Sequence, residues 1–204
     1  MEIRVIHHAS IRLEDGVVIY FDPYDIHEER HDADYVFITH DHYDHYDLPS
    51  ISKVSKEDTK IILPECLKDE KSFLVVSPDT EYSLNEFSFR TIPSYNLHKN
   101  FHPKEKNYVG YQIFLNGVSY YIMGDTDRTP EADMVSADVS FVPIGGVYTM
   151  DVREASDYIN FIKPKKVIPI HYGKIVGDVS LGYEFQKNID SGIEVDLMIK
   201  ENEK

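Results

Sequence analysis

One polar segment, ITHDHYDHYDLPS at Ile38–Ser50, constrains the fold of this chain more than any other feature. It follows the apolar run Tyr35–Ile38, which predicts a buried strand. The segment holds four side chains of types that bind metals: His40, His42, Asp44 and His45. Polar side chains that are buried without partners cost roughly 2–7 kcal/mol each. The fold must therefore either leave this segment in water, as a surface loop, or give its side chains a shared partner.

The remainder of the chain predicts a mixed α/β protein. Apolar and alternating runs predict strands at Ile3–Ile6, Ser10–Leu13, Val17–Phe21, Tyr35–Thr39, Lys60–Leu63, Phe87–Ile92, Val109–Leu115, Val118–Met123, Val139–Pro143 and Val167–Ile170. Hairpin turns are expected at Asp15-Gly16 and Asn116-Gly117. Helices are expected over Leu48–Ser55, Asp151–Ile162 and Ser180–Ile189. Because no linker or repeat interrupts this order, we expect one α/β sandwich domain over residues 1–204.

Several predicted strands end in a residue that can bind metal. Tyr35–Thr39 leads to His40, Ser119–Met123 leads through Gly124 to Asp125, and Val167–Ile170 leads to His171. Ligand sites in α/β proteins lie outside the carboxyl ends of strands. We therefore expect these side chains to meet at one edge of a sheet, which a set of scattered surface histidines would not explain.

The types and spacing of these residues indicate a divalent metal site. Imidazole and carboxylate groups suit zinc and related ions. Residues i and i+2 of an extended segment point the same way, so His40 and His42 can bind one ion together. Seven candidate ligands suit two ions better than one: His40, His42, Asp44, His45, His102, Asp125 and His171.

The motif THDHYDH at Thr39–His45 resembles the H-x-H-x-D-H signature of the metallo-β-lactamase superfamily. Further motifs follow the order of that family: FDP at Phe21–Pro23, GDT at Gly124–Thr126 and PIHYG at Pro169–Gly173. HHAS at His7–Ser10 and PIGGVYTM at Pro143–Met150 are similar to its small single-domain branch, which includes ascorbate-phosphate lactonase-like and other metal-dependent hydrolases. The resemblance covers the chain from about Ile6 to Gly173.

This resemblance implies a four-layer αββα sandwich with two divalent ions, zinc being expected and manganese, iron or nickel being the alternatives. It implies that His40, His42 and a third histidine hold the first ion, that Asp44, His45 and His171 hold the second, and that Asp125 bridges them. The third histidine would come from SYNLHKNFHPKEKNYVGY, which offers His98 and His102. We favour His102, because Pro103 fixes the chain beside it.

The resemblance also implies a hydrolase that uses a metal-bridging hydroxide on a small phosphodiester, lactone or related ester. Asp44 would orient the nucleophile as well as bind metal. Asp22 would orient the loop His40–His45, which we call the histidine loop. The candidates for contacting substrate or donating a proton to the leaving group are His8, His98 and Tyr148, although at most one of the adjacent His7 and His8 should face the site. The alternative function is a non-catalytic metal or ligand sensor that retains the fold.

Composition limits the partners and the setting. A formal net charge of −15 argues against a large nucleic-acid interface, so we expect a small-molecule substrate, a phosphorylated one being among the alternatives. The one cysteine allows no intrachain disulfide. The N-terminus lacks a signal-peptide pattern, and no apolar run has the length of a membrane span. These features lead us to expect a cytoplasmic protein with no membrane contact.

Overall fold

Two β-sheets form the centre of the computed structural model, which describes residues 1–68 and 72–199. The first sheet contains, in spatial order, β1 (Glu2–His7), β2 (Ser10–Glu14), β3 (Val18–Phe21), β4 (Ala33–Phe37), β5 (Ser55–Pro64) and β6 (Leu74–Val76). Strands β1 to β3 pair antiparallel, and β3 to β6 pair parallel. The antiparallel half therefore needs only short turns, whereas the parallel half needs crossover connections.

The second sheet repeats this division. Its strands are β7 (Glu81–Ser83), β8 (Ser88–Pro93), β9 (Val109–Leu115), β10 (Val118–Ile122), β11 (Val139–Pro143), β12 (Lys166–Ile170) and β13 (Glu194–Val195), and their spatial order runs from β13 to β7. Strands β7 to β10 pair antiparallel, and β10 to β13 pair parallel. Asn116-Gly117 joins β9 to β10, as the sequence predicts.

Helices cover the outer faces of both sheets, and this gives the four layers that were expected. Helix α1 (Leu48–Val54) packs on the outer face of the first sheet. Helices α2 (Val152–Ile162) and α3 (Ser180–Asn188) pack on the outer face of the second sheet. The inner faces share an aromatic core that includes Phe21, Phe37, Phe89, Tyr111 and Phe141. The αββα sandwich is confirmed.

Local sequence signals explain how helix α2 begins and ends. The Asp151 side chain accepts a hydrogen bond of 2.8 Å from the Glu154 N–H, which caps the first turn as predicted. At the other end, Lys163 adopts a left-handed conformation, and its N–H donates to the Ile159 carbonyl. Residues 1–68 and 72–199 contain no helix with the length and hydropathy that crossing a membrane requires.

Candidate metal centre

The functional side chains meet at one end of the sandwich, where strands of both sheets end. They follow β1 (His8), β3 (Asp22), β4 (His40, His42, Asp44 and His45), β8 (His102), β10 (Asp125) and β12 (His171). The prediction that strand ends deliver these residues is correct. The expectation that they meet at one edge of a single sheet was wrong, because β4 belongs to the first sheet while β10 and β12 belong to the second.

Asp22 fixes the start of the histidine loop. Its Oδ1 accepts a hydrogen bond of 2.8 Å from the Thr39 N–H, and its Oδ2 accepts one of 2.7 Å from the Thr39 hydroxyl. The same Oδ2 lies 2.8 Å from His45 Nδ1, which donates to it. A proton held on Nδ1 leaves the opposite nitrogen, Nε2, to face the cluster. The sequence analysis expected this orienting role for Asp22 but missed Thr39, whose only sequence signal is its place between β4 and the first histidine.

Two groups of side chains could bind a metal ion, and we call them donor groups because their nitrogen and oxygen atoms would donate electron pairs to the ion. The first donor group consists of His40, His42 and His102, whose ligand atoms all lie within 4.8 Å of one another. His102 Nε2 is 3.1 Å from His42 Nδ1. His40 Nδ1 lies 2.9 Å from the Thr39 hydroxyl, which directs His40 Nε2 inward. This group holds the three histidines that the sequence analysis assigned to one ion.

The loop that carries His102 is closed by Asn96, a residue that the sequence analysis did not single out. The Asn96 N–H donates to the His102 carbonyl at 2.9 Å, and its side-chain amide lies 3.3 Å from His102 Nδ1. That amide also donates to the Tyr148 carbonyl at 2.7 Å. The sequence contains no signal for Asn96, because its role depends on how a long loop folds back on itself.

Asp125 lies between the first group and the remaining donors. Its Oδ2 is 4.0 Å from His40 Nε2, 3.4 Å from His102 Nε2 and 2.9 Å from His171 Nε2, and its Oδ1 is 3.3 Å from His45 Nε2. Burial would raise the pKa of Asp125, but His171 and His45 hold it well below its ordinary value. The carboxylate is therefore ionised and lies between histidines of the two groups.

The second group of donors consists of His8, Asp44, His45 and His171, again with ligand atoms within 4.8 Å of one another. Asp44 Oδ2 lies 3.2 Å from His8 Nε2 and 3.8 Å from both His45 Nε2 and His171 Nε2. Burial would raise the pKa of Asp44, but the contacts with His8 and His45 lower it to about 2.

Burial and unpaired atoms test whether the two groups suit a metal. Within the described residues, several buried atoms of the cluster have no hydrogen-bond partner: Nε2 of His40 and His45, both ring nitrogens of His8 and His171, and Oδ1 of Asp125. An unsatisfied buried group costs about 1–3 kcal/mol. Divalent cations bind imidazole nitrogen and carboxylate oxygen, so these residues suit such ions.

The protonation states differ among the histidines. Burial lowers the pKa of His8 and of His102 to about 4, so both rings are neutral near pH 7. Burial also opposes the charged form of His45, but Asp125 and Asp22 outweigh it and raise the pKa of His45 well above its ordinary value. A protonated imidazole has no lone pair for a metal, so binding of an ion at His45 must displace a proton.

The structure separates the remaining candidates. His98 is exposed and belongs to none of the donor groups found in residues 1–68 and 72–199, whereas His102 is buried in one. Tyr148 is partly buried, and its ring packs edge-on against Phe101 with 4.7 Å between centroids. His8, the third candidate for contacting substrate or moving a proton, lies among the donors themselves.

Known proteins share this fold and much of this sequence. The family described as the β-lactamase superfamily domain matches residues 2–171. A UPF0173 protein from Pyrococcus furiosus is 33% identical over 183 residues, which cover 81% of this chain and 80% of the relative. A UPF0173 metal-dependent hydrolase from Nanoarchaeum equitans is 29% identical over 100% of this chain and 99% of its own length. The solved structure of a Parabacteroides distasonis protein, to which metal-dependent hydrolase activity is ascribed, superposes with a TM-score of 0.81 at 29% identity, over 97% of this chain and 93% of that one.

The fold, the His and Asp cluster and these relatives define the class: this chain is a metal-dependent hydrolase with a metallo-β-lactamase fold. Within that class it belongs to the β-lactamase superfamily domain family, because the match covers most of its length.

Proposed function

We propose that this hydrolase uses two metal ions to cleave a small lactone, phosphodiester or related ester. The observation that carries the proposal is the place of Asp125, whose two oxygens lie within 3.4 Å of histidines from both donor groups. A single ion would leave one of the groups unpaired. A carboxylate between two groups of buried imidazoles suits a shared ligand.

We assign the ligands to the two ions as the sequence analysis does. His40, His42 and His102 would hold one ion, Asp44, His45 and His171 would hold the other, and Asp125 would contact both. Zinc suits this set of nitrogen and oxygen donors, and manganese, iron and nickel are the alternatives. When bound, such ions lower the pKa of a coordinated water and polarise the oxygen of an ester or phosphoryl group.

Asp44 is the residue of the second group that we assign to orienting the attacking water. Its side chain is 11% exposed, whereas those of His45 and His171 are 0% and 1% exposed. A carboxylate of low pKa that reaches solvent can accept a hydrogen bond from water near neutral pH.

The loops that carry the donors also expose apolar side chains that suit the rest of the substrate. Tyr43 lies between two donor residues and is 67% exposed, and Phe101 precedes His102 and is 46% exposed. Leu97 and Val147 are exposed on the neighbouring loops. These side chains favour a substrate with an aromatic or aliphatic group next to its ester bond.

The lysines of the same region are already paired. Lys99 contacts Asp127, and Lys174 contacts Asp25. Because each ammonium already has an acidic partner, the surroundings offer little unbalanced positive charge to a dianion, and this favours a lactone, an uncharged ester or a singly charged diester over a phosphomonoester.

The test is metal content and turnover measured on the same protein. We expect about two ions per chain by elemental mass spectrometry, and turnover of an aryl ester or an aryl phosphodiester that a chelator abolishes and zinc or manganese restores. We expect Asp44→Asn to lose turnover. Asp47→Asn makes the same charge change in the same loop, but its carboxylate contacts Ser50 rather than the cluster, and it should retain turnover.

Two results would contradict the proposal. One ion per chain under saturating zinc or manganese would refute the dinuclear centre. Full metal loading without turnover across the ester, lactone and phosphodiester panel would instead favour the non-catalytic sensor.

A further inference from the structure

The turn after β1 places an unusual histidine beside the second donor group. His8 has a backbone φ of +53°, a left-handed conformation that residues other than glycine adopt infrequently. Its carbonyl accepts a hydrogen bond of 3.0 Å from the His171 N–H. This bond joins the first turn of one sheet to the end of β12 in the other, and so fixes His8 beside His171.

The His8 ring is as deeply placed as the expected ligands. His8 is 1% exposed, and its ring centroid lies 3.8 Å from that of His171 and 6.1 Å from that of His45. His8 Nε2 is 3.2 Å from Asp44 Oδ2, which is closer than the Nε2 atoms of His45 and His171 are to that oxygen.

A purely structural role does not account for these contacts. In the described part of the chain, neither ring nitrogen of His8 makes a hydrogen bond. Nε2 lies 3.2 Å from Asp44 Oδ2, but the two groups are not aligned as a hydrogen bond requires. Most buried side-chain polar atoms have a partner, and a structural histidine would keep at least one. Donors that bind one five-coordinate zinc ion at about 2.0–2.2 Å, at angles of 90–120°, lie roughly 3.0–3.6 Å apart, close to the 3.2 and 3.8 Å observed around Asp44.

We propose that His8 is a direct metal ligand, so that the second ion has His8 in addition to Asp44, His45 and His171. This inference rests on the proposed dinuclear centre and deepens it. With Asp125 shared, the second site would have five protein donors and the first site four. Closed sites are typical of structural ions, whereas catalytic ions keep a position open. The second ion is therefore the tighter and more enclosed one, and substrate approaches from the side of His42, which is only partly buried.

The direct test is NMR of the wild-type protein labelled with nitrogen-15 histidine and loaded with cadmium-113. We expect His8 Nε2 to show scalar coupling to the same cadmium ion that couples to His45 and His171. A proton on His8 Nε2 in the loaded protein, with two cadmium ions bound, would overturn the inference and leave the dinuclear centre standing. Failure of the protein to bind two cadmium ions would overturn both.

A variant provides a second readout. We expect His8→Ala to weaken the tighter of two zinc-binding steps by roughly 100-fold or more in chelator competition, since even residues behind a ligand contribute 10–100-fold. His7→Ala is the matched control, because His7 is adjacent in the chain but lies in a separate group with Asp25 and His27. Equal affinities in the two variants would refute the role of His8.

Discussion

Replacing Asp22 by Asn removes one acceptor from the point where the histidine loop is anchored. Asp22 accepts three hydrogen bonds, two from Thr39 and one from His45, and it is 1% exposed. An amide has only one oxygen. If that oxygen faces His45, the amide nitrogen meets the Thr39 N–H, and if it is reversed, the nitrogen meets the His45 Nδ1–H.

The cost follows from these two effects. A hydrogen bond to a charged group contributes about 1.5–3 kcal/mol, and an unpaired buried donor costs about 1–3 kcal/mol. We therefore expect Asp22→Asn to lower the free energy of unfolding by roughly 2.5–6 kcal/mol, measured by urea unfolding with a chelator present. We also expect zinc affinity to fall by roughly 10–100-fold, because His45 loses the partner that keeps its proton on Nδ1.

Asp138→Asn is a matched control for this change. Asp138 accepts hydrogen bonds from the N–H and the hydroxyl of Ser119 at 2.9 and 2.8 Å, as Asp22 does from Thr39, and it also pairs with Lys165. It belongs to none of the donor groups identified in residues 1–68 and 72–199. Asp138→Asn should lose stability while retaining zinc affinity. If Asp22→Asn binds zinc as tightly as this control does, the reasoning about His45 is refuted.

Three further outcomes are expected. Gly145→Ala places a methyl group against the His171 carbonyl; it should cost about 1–3 kcal/mol of stability and reduce zinc content per chain, and unchanged values would show that the loop adapts freely. His102→Ala should lose one bound ion by elemental analysis while His98→Ala keeps both, and the reverse result would exchange their roles. Lys165 lowers the pKa of Asp138 from 3.8 to about 2. The ionised Asp138 carboxylate therefore stabilises the fold fully above pH 3.8, and this stabilisation is lost as the pH falls through about 2. In urea unfolding, the difference in free energy of unfolding between the wild type and Asp138→Asn should be constant above pH 3.8 and should decrease as the pH falls from 3.8 to about 2.

The sequence predicted the elements that have a strong local pattern. All ten predicted strands correspond to strands of the structure, and Asp151 caps α2 as expected. The strands that were missed are β6, β7 and β13, which have three, three and two residues. Such short segments contain too little alternation to be recognised; the partners beside them in the sheets hold them in place.

The sequence predicted the site residues that directly follow a strand, but it could not decide between residues whose position depends on the fold of a long loop. His40, Asp125 and His171 follow their strands within three residues. The choice between His98 and His102 depends on the loop between β8 and β9, where Asn96 closes the chain onto His102. Sequence spacing does not predict the hydrogen bond between Asn96 and His102, because the segment between them has neither helical nor strand periodicity.

Left-handed backbone explains why strand alternation alone cannot describe this centre. Four of its residues have positive φ: His8 at 53°, Asp22 at 45°, His102 at 54° and His171 at 58°. Histidine and aspartate tolerate this region better than most residues, but each instance still costs of order 1–3 kcal/mol. His8, Asp22 and His171 each come directly after a strand, and there the turn redirects the side chain out of the pleat and towards the shared centre, so the rule that residues i and i+2 share a face fails at these three positions. Hydrogen bonds within the protein stabilise three of these four residues: Asp22 through its bonds with Thr39, and His8 and His171 through the bond between them. Binding of metal to the unpaired donors of His8 and His171 would offset the remaining strain, so the metal-loaded protein should gain stability mainly at the ends of β1 and β12.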